Sequence, residues 1–200
     1  ATACGRVHPA ITGGGSWRAL QELFTAVSVP DQRTFERVLQ GPARPLPSVF
    51  LAAGWHTVEA MPAMPRHWPE GDAFYGFAQS LVQADFPYGG HLFAFGHVPD
   101  QVVLHQLLER TVRPAERPLF TVFVSTSSHA PWKETPPFFA DWVLDDAALT
   151  APATTHALSW ADVPAGERLF PAYRDSIEYA LRSAVGYVCR LERPSLVLLL

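Results

Sequence analysis

One short stretch constrains the fold of this chain more than any other feature. Residues 118–126 read Pro-Leu-Phe-Thr-Val-Phe-Val-Ser-Thr, a β-rich run that is apolar on both faces of an extended strand. A strand of this kind is buried on both sides, as the central strands of parallel sheets are. Parallel strands need long crossover connections, which are usually helical. The stretch therefore predicts a parallel sheet covered by helices.

Helical and strand patterns alternate along the rest of the chain. The spacing of apolar residues predicts helices over residues 16–28, 47–53, 100–109 and 168–191, and one between a capping Asp31 and Gly41. It predicts strands over residues 55–61 and 195–200, whereas residues 73–85 are ambiguous. The runs 118–126 and 195–200 should be interior and parallel, with the helix 168–191 covering a face of the sheet. The apolar side of that helix is predicted to face inward and consists of Phe170, Tyr173, Ile177, Ala180, Leu181, Val185 and Val188.

This order of elements indicates an α/β fold, an α/β/α sandwich around a largely parallel central sheet, over one domain of residues 1–200. A chain of this length buries about two-thirds of the surface that its unfolded form exposes. With 48% hydrophobic and 17% charged residues it is not a disordered chain, and its 19 prolines argue against a helical bundle. The two cysteines, Cys4 and Cys189, are too few and too far apart for a disulfide scaffold or a zinc site, and we expect them to be packing residues.

The charge and the ends of the chain bear on its partners. A net charge of −4 disfavours binding to nucleic acid or to an anionic membrane surface. No apolar run approaches the about 18 residues that a membrane helix needs, and the first residues do not resemble a signal peptide, so we expect the chain as given to be soluble. It begins at Ala1 rather than Met and ends in an apolar run, which suggests that both ends are cut.

Ser16 is the first candidate for chemistry. It stands where the glycine-rich loop Gly13-Gly14-Gly15 enters the first predicted helix. A hydroxyl at that position lies beside unpaired backbone N–H groups and the positive end of the helix dipole, where anions bind. The alternative is that Ser16 is a plain N-cap, and from this tetrapeptide alone that alternative is favoured.

His129 is the second candidate, because it follows the strongest strand. Ligand groups in open α/β sheets gather at the carboxyl ends of strands. A solvent-exposed or hydrogen-bonded bystander is the competing interpretation. Structural roles are expected for the other singled-out polar residues, with Asp100 as the cap of its own helix: His56, His67, His91, His97, His105 and Asp100.

Four segments of the chain have an order and spacing that match a known family. The first is Gly13-Gly14-Gly15-Ser16-Trp17 with its helix, and the second is the Leu-Pro helix that leads to Gly54-Trp55-His56-Thr57-Val58. The third is Phe74-Tyr75-Gly76-Phe77 followed by Val98-Pro99-Asp100-Gln101. The fourth runs from Phe123 through Ser127-Ser128-His129-Ala130-Pro131-Trp132. Together these segments resemble the sulfatase branch of the alkaline phosphatase superfamily, and in particular its lipoteichoic-acid-synthase-like members.

The resemblance implies an alkaline-phosphatase-like fold and assigns roles to particular residues. Ser16 takes the place of the nucleophile, which is also a metal ligand in that family, and His129 takes the place of the histidine that contacts the phosphate or sulfate or its leaving group. Trp132 and Arg66 are further candidates for substrate binding. The implied cofactor is a divalent cation, Mn, Mg, Ca or Zn. Its other ligands, an upstream acidic residue and a downstream Gly-Asp-His turn, are not in this sequence.

Two departures from the family pattern affect the substrate. Lipoteichoic-acid-type synthases carry a histidine where this sequence has Met61, and their following arginine has no clear counterpart, although Arg66 is near. The Cys-x-Pro-x-Arg sequence of formylglycine sulfatases is absent as well. Neither phosphoglycerol nor a sulfate ester is therefore singled out as the substrate.

The sequence leads to the hypothesis that the chain is the central part of a metal-dependent phosphoester or sulfoester hydrolase, or of a phosphoglycerol-type transferase, with a serine nucleophile. The parent protein would be membrane-anchored and would face outward in the cell envelope, and the chain alone would be inactive. The alternative is a non-catalytic domain that keeps the fold as a structural or interaction module. A metal-free serine hydrolase is disfavoured because Gly-Gly-Gly-Ser lacks the Gly-x-Ser-x-Gly elbow.

Overall fold

A computed structural model describes residues 15–93, 98–144 and 160–199. Its helices are α1 (Ser16–Thr25), α2 (Gln32–Leu39), α3 (Leu46–Ala52), α4 (Pro69–Tyr75), α5 (Asp100–Leu107) and α6 (Leu169–Val188). Its strands are β1 (His56–Met61), β2 (Gln79–Val82) and β3 (Leu119–Phe123). A π-helical turn, Leu108–Val112, continues α5. The predicted helices at residues 16–28, 47–53, 100–109 and 168–191, the helix after Asp31, and the strands at 55–61 and 118–126 are all present, within a few residues.

The three strands form one parallel sheet in the order β2-β1-β3. β1 is central: its Val58 pairs with Gln79 of β2 on one side and with Thr121 of β3 on the other. The prediction of a parallel α/β sheet is confirmed. The prediction that 118–126 is an interior strand is wrong for the described residues, because β3 pairs with β1 alone and forms an edge.

Two apolar clusters cover the two faces of the sheet. One face buries Val58 and Ala60 of β1 against α5, whose Val103 and Leu107 are almost fully buried. The opposite face packs Phe120 and Val122 of β3 with a cluster built from α1, α2, α4 and the segment just before β2; its buried members are Phe24, Tyr75 and Phe77. Helices therefore lie on both sides of the sheet, which is the α/β/α arrangement that the sequence predicts.

Local sequence explains where several elements begin and end. The Asp31 carboxylate accepts a hydrogen bond from the Thr34 N–H at 2.7 Å and caps α2, as predicted. Thr57 of β1 is fully buried, and its hydroxyl bonds to the Gly76 carbonyl at 2.8 Å and to the Ala78 N–H at 2.9 Å. This threonine ties the end of α4 to the central strand.

The helix α6 differs most from the sequence prediction. Its buried residues are Ser176, Tyr179 and Ser183, and it packs mainly against α5 rather than on the sheet. The small serines permit a close approach between the helices, and the Tyr179 hydroxyl accepts a hydrogen bond from the Gln101 N–H at 3.3 Å. The apolar stripe predicted to face inward is largely exposed, with Phe170 78%, Tyr173 43%, Leu181 52% and Val185 54% accessible. The predicted inner face was therefore wrong.

The predicted final strand is also wrong over residues 195–199. These residues are exposed and belong to no strand, and Leu200 lies outside the described residues. A parallel strand is stabilised only by a neighbour on the same sheet, and this segment has none in the part of the chain that the structure describes. Within that part, no helix combines the length and the apolarity needed to cross a membrane.

Candidate active site

Ser16 is the first residue of α1 and is exposed to solvent. The cap position belongs to Gly15, whose backbone is left-handed at φ 86° and ψ 38°. The Gly15 carbonyl accepts the N–H groups of Arg18 and Ala19 at 2.9 and 3.4 Å, which starts the helix directly behind the serine. Ser16 is thus not the N-cap of the competing interpretation, and its hydroxyl stands at the positive end of the α1 dipole. Gly13 and Gly14 lie outside the described residues.

The guanidinium of Arg18 lies against Gly15, next to Ser16. A side-chain carbon on Gly15 would come within 2.7 Å of Arg18 Nη2 and 3.0 Å of Nε, so a residue with a side chain cannot replace this glycine without displacing the guanidinium. Arg18 Nη1 donates to the Pro30 carbonyl at 2.6 Å, whereas its Nε is buried without a hydrogen-bond partner. A permanent cation therefore adds to the dipole field beside the serine.

His129 lies in the loop that follows β3, at the carboxyl end of the strand, and is exposed. Its backbone N–H donates to the Thr126 carbonyl at 3.0 Å. Its ring Nδ1 lies 2.8 Å from the Ala130 carbonyl oxygen. A carbonyl only accepts, so Nδ1 carries the proton and the lone pair of the neutral ring is on Nε2. This tautomer suits a group that takes or returns a proton through Nε2.

The two predicted substrate-binding residues have different environments. The Trp132 indole N–H donates to the Ser128 carbonyl at 2.8 Å, and its ring packs edge-on against Tyr173 of α6 at 5.0 Å. Trp132 therefore braces the loop that carries His129. Arg66 is exposed in the bend after β1. The meeting of Ser16 with His129, and the contact of Trp132 and Arg66 with a substrate, stay predictions.

Two acidic residues, Glu59 and Asp100, stand in environments that raise the pKa of their carboxyl groups. Burial, and secondarily the charge of Asp72, raises the pKa of Glu59 on β1 to about 7. Burial raises the pKa of Asp100 as well, while hydrogen bonds donated by Ser125, Thr126 and Ser127 act in the opposite direction. Asp100 was predicted to cap its own helix. It makes no side-chain cap there and binds the loop after β3 instead, so that prediction is wrong.

The described residues do not form a site for a divalent cation. No group of three or more His, Cys, Asp or Glu side chains in residues 15–93, 98–144 and 160–199 is arranged to hold a metal ion. A neutral serine hydroxyl is a weak ligand unless stronger ligands hold the metal. Ser16 by itself does not fit the cation, and no chemical step is assigned to one.

The fold has a counterpart among solved structures. The lipoteichoic acid synthase LtaP from Listeria monocytogenes superposes on 92% of this chain with a TM-score of 0.61 and 12% sequence identity. The two proteins share a fold. The chain spans 41% of the LtaP chain. Neither a protein-family model nor a curated protein sequence matches the chain significantly.

Two features, the place of the Arg18 guanidinium and the partners of Asp100, had no local signal in the sequence. Arg18 follows Ser16 by two positions, so on a helix the two side chains leave from opposite sides. The Arg18 side chain folds back against Gly15, which places its charge near the start of α1. The partners of Asp100 lie 25 to 27 residues further along the chain. Glu59 did leave a signal, because an acidic residue between Val58 and Ala60 interrupts a buried strand.

Proposed function

We propose that this chain forms the nucleophile-bearing part of a phosphoester or sulfoester hydrolase, or of a phosphoglycerol-type transferase, with Ser16 as the nucleophile. The observation that carries the proposal is the placement of Ser16 at the first turn of α1 with the Arg18 guanidinium behind it. Helix N–H groups and a permanent cation stabilise the charge that develops on a transferring phosphoryl or sulfuryl group. The fold shared with the lipoteichoic acid synthase LtaP supports the same class of reaction.

The proposed reaction uses two side chains. Ser16 Oγ forms a bond to phosphorus or sulfur while the bond to the leaving oxygen breaks, and the hydroxyl proton passes to solvent. The departing alkoxide takes a proton from the protonated ring of His129 through Nε2. Water then releases the covalent ester in a hydrolase, and an alcohol does so in a transferase. In the whole enzyme Ser16 would be one ligand of a divalent cation, Mn, Mg, Ca or Zn, whose stronger ligands would lie outside the described residues, and the cation would supply Lewis-acid chemistry there.

The setting of this activity is part of the proposal. The substrate is a phosphate or sulfate ester, and the parent protein is anchored to the membrane with this domain on the outer face of the cell envelope. The net charge of −4 is consistent with a small-molecule or lipid-linked ester rather than a nucleic acid.

The test is a titration of the chain with orthovanadate and, in parallel, with sulfate, followed by NMR of backbone amides and labelled side chains. We expect weak binding that shifts the signals of Ser16, Trp17 and the Arg18 Nε–H. Ser16→Ala should weaken vanadate binding about 10-fold, the size of one hydrogen bond to a charged group. Ser28→Ala, at an exposed serine beyond α1, is the matched control and should leave binding unchanged.

Two outcomes would reject the proposal. Vanadate that shifts no signal of the first turn of α1 would show that this helix end is not an anion site. Equal binding by the wild type and Ser16→Ala would show that the serine takes no part, and would favour the alternative of a non-catalytic module that keeps the fold.

A further inference from the structure

The Asp100 side chain holds a loop that is remote from it in sequence. Asp100 is the first residue of α5 and is 1% exposed. Its carboxylate accepts hydrogen bonds from the Ser125 hydroxyl, from the Thr126 N–H at 2.9 Å and from the Ser127 N–H at 3.1 Å. Its own backbone N–H donates to Ser127 Oγ at 2.9 Å. One buried residue therefore fixes three consecutive residues of the loop after β3.

The same turn carries His129. The Thr126 carbonyl accepts the His129 N–H at 3.0 Å, so the backbone segment held by Asp100 continues directly to the histidine. On the other side of the histidine, the Trp132 indole N–H holds the Ser128 carbonyl at 2.8 Å. With both flanks fixed, the ring Nδ1 reaches the Ala130 carbonyl at 2.8 Å.

The chemistry of the turn explains why a buried carboxylate stands at position 100. Thr126 and Ser127 are buried, at 3% and 8% exposed, so their N–H groups need a protein acceptor. Two adjacent N–H groups and the Ser125 hydroxyl converge on one carboxylate, and an apolar residue of similar size would leave the two buried N–H groups without a partner. Each buried donor left unpaired costs about 1–3 kcal/mol, so the turn would rearrange rather than keep this geometry.

We infer that Asp100 is a positioning residue, which fixes the turn at residues 125–129 and through it the tautomer and orientation of the His129 ring. This role of Asp100 in the reaction rests on the proposed function, because the orientation of the His129 ring matters only if His129 acts on the ester. Asp100 itself touches no substrate in this arrangement.

The experiment compares four chains by ¹⁵N NMR of labelled histidine: wild type, Asp100→Asn, Asp100→Ala and Ser125→Ala. Asparagine keeps an oxygen that accepts the two N–H groups, so Asp100→Asn should retain the Nδ1–H tautomer of His129. Asp100→Ala should mix the tautomers and raise amide exchange at Thr126 and Ser127 at least about 10-fold, in line with the loss of a hydrogen bond to a charged group. Ser125→Ala removes one donor and should give an intermediate result.

The control is Asp31→Ala, which removes an exposed helix cap and lowers stability without contact with the turn. It should leave the His129 signals unchanged, which separates positioning from a general loss of stability. An unchanged tautomer in Asp100→Ala would overturn the inference. If Asp100→Ala does not fold, the folded Asp100→Asn or Ser125→Ala chain decides the question. Loss of the Nδ1–H tautomer in Asp100→Asn, or unchanged His129 signals in Ser125→Ala, would contradict the inference.

Vanadate distinguishes this inference from the proposed function. If Asp100→Ala changes the tautomer but vanadate shifts neither His129 nor the first turn of α1, the positioning role stands and the proposed function fails. If vanadate shifts His129 equally in the wild type and in Asp100→Ala, the site is supported and the positioning role is rejected.

Discussion

Glu59 should make the protein less stable as the pH rises. Its carboxyl lies on the central strand, partly buried, and burial together with the charge of Asp72 raises its pKa from 4.5 to about 7. Between those values the unfolded chain has released this proton while the folded chain still holds it. The contribution of Glu59 to the free energy of unfolding is therefore fully present below about pH 4.5 and is lost as the pH rises through about 7.

The size of the effect follows from the separation of the two pKa values. Each unit of difference in pKa corresponds to about 1.4 kcal/mol, so the separation gives an upper bound of about 3 kcal/mol on the change in the free energy of unfolding. Part of the carboxyl remains in contact with solvent, which reduces the expected loss between about pH 5 and pH 8 to about 2 kcal/mol. Glu59→Gln keeps the shape of the side chain and has no proton to release, so at about pH 8 it should be more stable than the wild type.

Urea unfolding measured at both pH values tests this reasoning. The histidines contribute equally to both chains, so the difference between the wild type and Glu59→Gln isolates Glu59. Glu70→Gln, at an exposed carboxyl in the first turn of α4, is the matched control and should follow the wild type. The argument would be refuted by Glu59→Gln and the wild type losing stability in parallel, or by Glu59→Gln being less stable at the higher pH.

Three further predictions concern the candidate site. Gly15→Ala should lower the free energy of unfolding in urea by about 1–2 kcal/mol, because its backbone is left-handed, and should weaken vanadate binding because the new side chain displaces Arg18. Gly54→Ala is the control: its φ is a similar 85° and the space around it is open, so it should lower stability without changing vanadate binding. Equal vanadate binding by the two variants would contradict the role of Arg18. Spin labels at Ser16 and His129, with the native cysteines replaced, should report side chains within about 12 Å, a span that one phosphate and its hydrogen bonds can bridge; a larger separation rules out a shared site. The chain alone should bind Mn²⁺ no better than a generic acidic surface, because no three ligating side chains meet in the described residues. For the same reason it should hydrolyse p-nitrophenyl phosphate no faster than its Ser16→Ala variant. Metal-stimulated turnover that Ser16→Ala abolishes would contradict both expectations.

Sequence patterns predicted the elements that depend on local chemistry. The Asp31 cap, the helix that begins at Ser16 and the β-rich run that becomes β3 are each encoded within a few neighbouring residues. The short helix α4 was missed because Gly71 and Asp72 are poor helix formers. The Trp68 ring leaves no room for a side chain at position 71, and that ring stacks on Phe35 of α2, a contact that only the folded chain makes.

Predictions failed where long-range packing decides. The spacing of apolar residues on α6 predicted the wrong inner face, because close packing against α5 selects the small Ser176 and Ser183 instead. Asp100 occupies a cap position by sequence, yet its partners belong to a loop that only the folded sheet brings near. The candidate residues Ser16 and His129 could be named from the sequence, while the groups that orient them could not.

The register of the sheet also sets an order of assembly. Pairing Val58 with Gln79 joins β1 to β2 across 21 residues, whereas pairing His56 with Leu119 joins β1 to β3 across 63. Closing the longer loop costs about 1 kcal/mol more in chain entropy, so during refolding β2 should be protected from hydrogen exchange before β3, and simultaneous protection in a pulse-labelling experiment would contradict this order. The loop that carries His129 then becomes ordered only after the rest of the sheet has formed, which makes the histidine one of the last parts of the candidate site to reach its place.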